Sequence, residues 1–230
     1  MKIAVQGTDG HMGGLLTATI AETDGLSAVD LETAESGFDV IIDFSHPANL
    51  DKICAKARAN RVPAVIATTG YTPEQQRKIA ALAKDVPVVF AANFSLGITV
   101  MKRILSEIAP ILRDSFDMEM VERHHRRKLD APSGTAKMLV RAMDPDGDYE
   151  ELDGRSGMHR RGHEIGVSAV RGGTIAGEHT AIFAGDDEVL EIKHTAGSRK
   201  IFVNGSLQAA RFAVRAKPGL YDMEDVLFSK

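Results

Sequence analysis

The N-terminal ninety residues alternate short apolar runs with helical stripes, and this rhythm restricts the fold more than any other feature of the chain. Residues 2–6 (Lys-Ile-Ala-Val-Gln) read as a buried strand ending at Gly7. Met12, Leu15, Leu16 and Ile20 then share one helical face. Val40-Ile41-Ile42, closed by Asp43, is an unbroken apolar run of the kind a strand shows when both its faces are covered. Leu50, Ile53, Cys54 and Ala57 line the next helix, opened by Pro47, and Ala64 to Ala67 form another buried strand. Thr72-Pro73-Glu74-Gln75 supplies an N-cap, a proline at the first helical position and a capping-box glutamine. Val86 to Ala91 is a further strand. The β-α-β-α order predicts an α/β, Rossmann-like, parallel doubly wound sheet over about the first 93 residues. One crossover is short. Between a second strand at about 26–31 and a third from Phe38 too few residues remain for a helix, which needs roughly a dozen or more. A trimmed loop is expected there.

After residue 94 the pattern changes. Ile98, Met101, Ile104, Leu105, Ile108 and Leu112 mark one long amphipathic helix, and Phe116, Met118 and Met120 alternate with Asp117 and Glu119 as in a half-buried strand. Residues 133–143 read as helix and 144–163 as a polar, glycine-rich loop. Residues 164–171, 174–184 and 187–195 follow as strands in close succession, which predicts antiparallel pairing. The second domain is therefore α+β, on a mixed or antiparallel sheet. Leu207, Ala210 and Val214 suggest a closing helix, stopped by Pro218-Gly219. The expected domains are 1–93 with 205–230, and 94–204, with hinges near 93–95 and 203–205.

A length of 230 residues suits two modest domains. The formal charge of −4 provides no global basic field for nucleic acid or membrane, and no apolar run approaches the roughly 20 residues of a bilayer span. Met1-Lys2 leads directly into the first strand, without the apolar stretch of a signal peptide. Cys54 is the single cysteine, so no intrachain disulfide forms, in keeping with a reducing cytoplasm.

The turn Gly7-Thr8-Asp9-Gly10-His11-Met12-Gly13 joins the first strand to the first helix. Glycines at this spacing allow a tight turn, a close approach of backbone to phosphate, and packing of helix on strand, which is what a dinucleotide pyrophosphate requires. An ordinary structural turn is the competing reading. Asp30, about 20 residues on, is placed to bind the adenosine ribose, with Asp24 and Glu32 as competitors. No Arg or Lys occurs in residues 30–37 to meet a 2′-phosphate, which favours NADH over NADPH. His11 or a residue from elsewhere remains available to NADPH.

The densest chemistry is Glu122-Arg123-His124-His125-Arg126-Arg127-Lys128-Leu129-Asp130-Ala131-Pro132-Ser133-Gly134-Thr135-Ala136. Two histidines exchange protons near neutral pH, Lys128 suits a carboxylate, and the amides of Ser133, Gly134 and Thr135 at a helix start form an anion nest. The pattern fits an anionic substrate that needs a proton. A nucleic-acid patch lacks interleaved aromatics here, and no Cys or carboxylate lies at metal-ligand spacing, so neither a nucleic-acid partner nor a metal is expected.

At these residues the chain resembles the dihydrodipicolinate reductase (4-hydroxy-tetrahydrodipicolinate reductase) family, whose signature E-x-H-H-x-x-K-x-D-A-P-S-G-T-A is met at every defined position of 122–136. Thr68-Thr69-Gly70, Ala91-Ala92-Asn93-Phe94-Ser95, Val170 to Gly173, Gly177 to Thr180 and Gly219 to Met223 extend the resemblance over essentially the whole chain. The resemblance implies an NADH- or NADPH-dependent reductase making tetrahydrodipicolinate in the diaminopimelate route to lysine. It implies His124 as proton donor, Lys128 as a carboxylate holder with a possible second catalytic role, and substrate contacts from His125, Gly134 and Thr135. Gly7, Asp9, Gly10, His11, Met12, Gly13 and Asp30 would hold the cofactor. Ala67, Thr68 and Thr69, with Ala91, Ala92, Asn93 and Phe94, would line its nicotinamide side. A cytoplasmic homotetramer assembled through the second domain's sheet is implied as well. Ala67 departs from the family's usual glycine, and the segment after the second strand is shorter than usual.

Overall fold

The computed structural model describes residues 1–229. In chain order it contains β1 (Lys2–Gln6), α1 (His11–Ala21), β2 (Ser27–Asp30), β3 (Val40–Asp43), α2 (Leu50–Asn60), β4 (Ala64–Ile66), α3 (Pro73–Leu82), β5 (Pro87–Phe90) and α4 (Leu96–Leu112). Then come β6 (Asp117–His124), α5 (Gly134–Met143), β7 (Glu150–Asp153), β8 (Glu164–Arg171), β9 (Glu178–Ala184), β10 (Val189–Thr195), α6 (Lys200–Ala213), β11 (Gly219–Tyr221) and α7 (Met223–Phe228). Contacts divide the chain into two units, Met1–Leu96 with the segment from Arg199 on, and Gly97–Ser198.

In the first unit six parallel strands are ordered β11-β5-β4-β3-β1-β2. Alternate residues of each strand enter different cores. Ala4, Ile41, Ile66 and Val88 pack with Leu50 and Ile53 of α2 and with Ile79 of α3. Ile3, Val5, Val40, Ile42, Val65 and Val89 pack with Leu16 and Ile20 of α1 and with Val203, Leu207 and Ala210 of α6. A strand whose every side chain is enclosed by helices on one face or the other has no polar positions to alternate, and β3 is buried at all four residues.

The trimmed segment crosses from β2 to β3 over the end of β1, with no helix. It is pinned from α2 instead. The Lys56 ammonium donates to the carbonyls of Leu31 and Ala34, each at 2.7 Å, and Asn60 donates to the Glu35 carbonyl at 3.0 Å. These bonds satisfy backbone acceptors that a crossover helix would otherwise have paired internally.

In the second unit the order is β10-β9-β6-β8-β7, a mixed sheet. β8 runs parallel to both β6 and β7, while β9 runs antiparallel to β6 and β10. The sequence expectation of three successive antiparallel strands fails at β8 and β9, because β6 lies between them. Residues 172–177 step over the end of β6, tied there by Gly172 N–H to the His124 carbonyl at 2.9 Å and Arg126 N–H to the Gly173 carbonyl at 3.2 Å. Strand β9 accordingly begins at Glu178 rather than 174. The polar loop expected over 144–163 contains the edge strand β7, whose mostly exposed residues carry no apolar alternation.

Two boundaries also move. Phe94 and Val203, expected in the second domain, are buried in the first unit's core, and residues 203–205, expected as a hinge, lie inside α6. Gly205 explains the latter: a Cβ there would stand 1.6 Å from the Phe94 carbonyl oxygen. The helix passes so close to that backbone that only glycine fits. Beyond Pro218 the chain does not end its order but adds β11 beside β5 and a capped α7. Gly205→Ala is expected to destabilise the protein by about 1–3 kcal/mol or more in denaturant unfolding. Gly197→Ala, where a Cβ meets nothing, should leave the midpoint nearly unchanged.

Candidate active site

At the C-terminal end of β1, Gly7 has φ +94°, and a Cβ on it would meet the Phe44 carbonyl oxygen at 2.7 Å. A Cβ on Gly13 would stand 1.9 Å from the Gly7 carbonyl oxygen, so this glycine lets α1 start directly against the turn. Gly10 is the N-cap of α1 in extended conformation, and no side chain folds back to cap the first turn, which also carries no acid. Asp9, Gly10 and His11 are exposed and Met12 half-buried. An uncapped, acid-free helix start with glycines where a Cβ would collide suits an anionic pyrophosphate, so the cradle fits a dinucleotide.

The ribose candidates separate by position. Asp30 closes β2 and is joined to the glycine turn by the Thr8 hydroxyl, which donates to it at 2.9 Å. Glu32 accepts from Gln6 and from the Lys52 ammonium, at 2.7 and 2.8 Å to the same oxygen. Asp24 precedes β2, on the edge of the sheet away from the strands' carboxyl ends where such ligands bind.

Around the ends of β3 and β4 the residues expected to line the nicotinamide side divide into buried and exposed. Thr68 is buried, and its hydroxyl oxygen accepts the Ser45 amide at 2.8 Å, while Thr69 is exposed and Ala67 half-buried against the core. Phe94 is also a core side chain, edge-on to Phe44 with ring centroids 6.4 Å apart. Ala91 and Asn93 are half-buried and Ala92 exposed, and the Asn93 side chain accepts the Ser95 amide at 2.8 Å. Asp43, which the sequence offered only as a strand end, is fully buried and joins these loops. It accepts the amide and hydroxyl of Ser45 and the Tyr71 hydroxyl, the last at 3.2 Å. Burial pushes its carboxyl up, against hydrogen bonds from Ser45, Thr68 and Tyr71.

In the second unit, β6 places Met118, Met120, Glu122 and His124 on one face, since side chains alternate along a strand. The first two enter the apolar core, and Glu122 continues that row as a fully buried carboxylate. Both its oxygens are saturated. One accepts the Ser133 amide at 2.9 Å and an Arg171 N–H at 2.7 Å; the other accepts a second Arg171 N–H at 2.7 Å and His124 Nδ1 at 2.7 Å. Burial raises the Glu122 carboxyl, but hydrogen bonds from Arg171, His124 and Ser133 outweigh it and leave the group below its ordinary value.

Ser133 caps α5, its hydroxyl accepting the Ala136 amide at 3.1 Å and lying 3.2 Å from His179 Nε2. Gly134 is exposed and Thr135 half-buried at that helix start. Lys128 is ion-paired with Asp130 at 2.8 Å, and the Arg171 fork also donates to the Asp130 carbonyl at 2.6 Å. His125 is half-buried on the same loop, its carbonyl accepting the Lys128 amide at 3.0 Å. The His124 and His179 rings meet edge to face at 5.2 Å, and Gly177 sits where a Cβ would approach His124 Nε2 to 3.1 Å. The structure thus brings His124 and the α5 start onto one carboxylate, with Lys128 joined to them through Asp130 and Arg171. Arg171 and His179 lie in the segments Val170 to Gly173 and Gly177 to Thr180 that carry the resemblance, but no site role was read for them; the i, i+2 spacing of Glu122 and His124 on a strand was a further signal. Among the described residues no group of three His, Cys, Asp or Glu is arranged to hold a metal.

A glycine turn at the first β-α junction of a doubly wound sheet, with an acid closing the second strand, defines a dinucleotide-binding oxidoreductase fold. Two family profiles cover most of the chain, dihydrodipicolinate reductase N-terminus over residues 24–94 and dihydrodipicolinate reductase C-terminus over residues 97–227. A 4-hydroxy-tetrahydrodipicolinate reductase of Brachyspira hyodysenteriae is 45% identical across 99% of this chain and 100% of that one. One of Clostridium novyi is 38% identical across 100% and 99%. The structure of a dipicolinate-bound dihydrodipicolinate reductase from Paenisporosarcina sp. TG-14 superposes with TM-score 0.81 over 99% of both chains, at 22% identity. A C. glutamicum DAP dehydrogenase in complex with DAP shares the fold at TM-score 0.56 and 12% identity, over 100% of this chain and 96% of that one. The chain belongs to the dihydrodipicolinate reductase family.

His179 carries a consequence for stability. Burial, then the neighbouring His124, lowers it to about 4. Between that value and the ordinary 6.5 the unfolded chain binds a proton that the folded chain refuses, so stability falls as pH drops through this window. The contribution at stake is on the order of 3 kcal/mol. His179→Gln should therefore flatten the dependence of unfolding free energy on pH between 4 and 6.5, measured by urea denaturation. An unaltered slope would remove the assignment.

Proposed function

We propose that this protein reduces 4-hydroxy-tetrahydrodipicolinate, the dihydrodipicolinate-type precursor, to tetrahydrodipicolinate in the diaminopimelate route to lysine. The observation that carries the reading is the buried Glu122, which places His124, the Lys128 loop and the start of α5 together. The reduced nicotinamide, when bound, supplies the hydride. The chain's own residues supply the rest. His124 delivers a proton as charge builds on the substrate ring, an effect worth roughly 10² to 10⁴ in rate. Lys128 exchanges its pairing with Asp130 for a substrate carboxylate, and the amides of Gly134 and Thr135, with His125, receive the other carboxylate.

Within this reading NADH is preferred to NADPH. Asp30 at the end of β2 accepts ribose hydroxyls but repels a 2′-phosphate, and the nearby Lys52 is neutralised by Glu32. A cytoplasmic location, where Cys54 stays reduced, goes with it.

Assembly as a homotetramer is part of the same proposal. The face of the second unit's sheet away from α4 and α5 exposes Val170 on β8 and Val189 on β10. Sedimentation equilibrium should return four chains, and a charged residue at both valines should shift that mass downward; a monomer at micromolar concentration would refute the assembly.

The activity itself is read by nicotinamide oxidation with substrate prepared fresh from pyruvate and aspartate semialdehyde. NADH should show the higher kcat/KM. His124→Ala should lose about 10²- to 10⁴-fold in kcat, and Lys128→Ala should lose turnover and raise KM for the substrate. No oxidation by the unaltered protein would end the reading.

A further inference from the structure

A buried carboxylate with no contact to bulk water is an expensive feature of a fold, and Glu122 is more than a structural ion pair because one of its four donors is a group assigned to proton transfer. We infer that Glu122 is the positioning residue of this enzyme, fixing which nitrogen of His124 gives up its proton and holding that nitrogen in register with the anion-binding start of α5. The inference rests on the reading of His124 as proton donor.

The geometry supports each part. A carboxylate only accepts, so the 2.7 Å contact requires a proton on His124 Nδ1 in both charge states of the ring. The proton that leaves is then the one on Nε2. That nitrogen faces Gly177, where the missing Cβ leaves the approach open: a methyl there would stand 3.1 Å away. The Ser133 amide, at the α5 N-cap, binds the carboxylate oxygen that His124 does not use. One side chain therefore sets the distance between the acid and the helix start. The charged and titratable groups facing His124 are Glu122 on its own strand, Arg171 on β8 and His179 on β9. Arg171 is engaged bidentately by Glu122, and burial keeps His179 neutral near pH 7, so Glu122 is the anion that acts on the His124 ring.

A carboxylate that accepts from Nδ1 fixes the rotamer and tautomer of the ring, and turnover draws on the Nε2 proton. Glu122→Gln keeps the shape and an acceptor but removes the charge. Its kcat is expected to fall about ten- to a hundredfold, with KM for the nicotinamide unchanged. Glu122→Asp, which restores the charge, should recover part of that kcat. Long-range ¹⁵N NMR of the imidazoles in the unaltered protein, without substrate, gives a readout independent of folding of the variants. The neutral His124 ring should carry its proton on Nδ1 and none on Nε2. A neutral His124 protonated on Nε2, or a Glu122→Gln kcat equal to the parent's, overturns the inference. If instead His124→Ala retains full turnover while these signatures hold, it is the proton-donor assignment that fails.

Discussion

Glu122 is the point from which the second unit's site is built. A carboxylate with no solvent exposure survives only if its lone pairs are taken by donors in good geometry, and here four N–H groups from three parts of the chain do so. Each donor brings its own element. His124 and Glu122 share β6, Arg171 ends β8, and the Ser133 amide opens α5. The burial that makes the carboxylate costly also makes its hydrogen bonds directional, so the three elements have little freedom to rearrange around it.

The first unit uses the same device with a different purpose. Asp43 is equally enclosed, but the amide and hydroxyl of Ser45 and the hydroxyl of Tyr71 hold it, with no cation among these donors. Burial therefore dominates and raises its carboxyl, whereas the guanidinium fork of Arg171 keeps Glu122 low. Asp43 and Thr68 together tie the segment after β3 to the segment after β4, both at the strands' carboxyl ends, the side on which open α/β sheets bind ligands in general. The residues expected to line the nicotinamide side are thus of two kinds. Thr69 and Ala92 are exposed, while Thr68 and Phe94 face inward.

The mixed sheet of the second unit shows where sequence patterns lose information. Period-two alternation marked β6, and residues 164–171 read as the strand that became β8, but alternation is the same for a parallel or an antiparallel neighbour. Nothing local distinguishes a hairpin from a six-residue step over a third strand. Likewise β7 is an edge strand paired through its backbone to β8, with few apolar side chains to announce it. β11 is three residues at the sheet's edge following a proline and was hidden for the same reason.

The sequence by itself determined the doubly wound first unit, the glycine cradle, the two-unit organisation and the His124–Lys128 cluster. These are set by local rules: apolar periodicity, the φ freedom and small size of glycine, capping chemistry, and a contiguous motif. Tertiary structure alone decided which strand β6 adjoins, that Phe94 and Val203 belong to the first core, and that Arg171 and His179 meet the cluster from 47 and 55 residues beyond His124. Those outcomes depend on which surfaces can be buried together and on which donors can reach a buried carboxylate. Such requirements act through space, and no spacing along the chain encodes them.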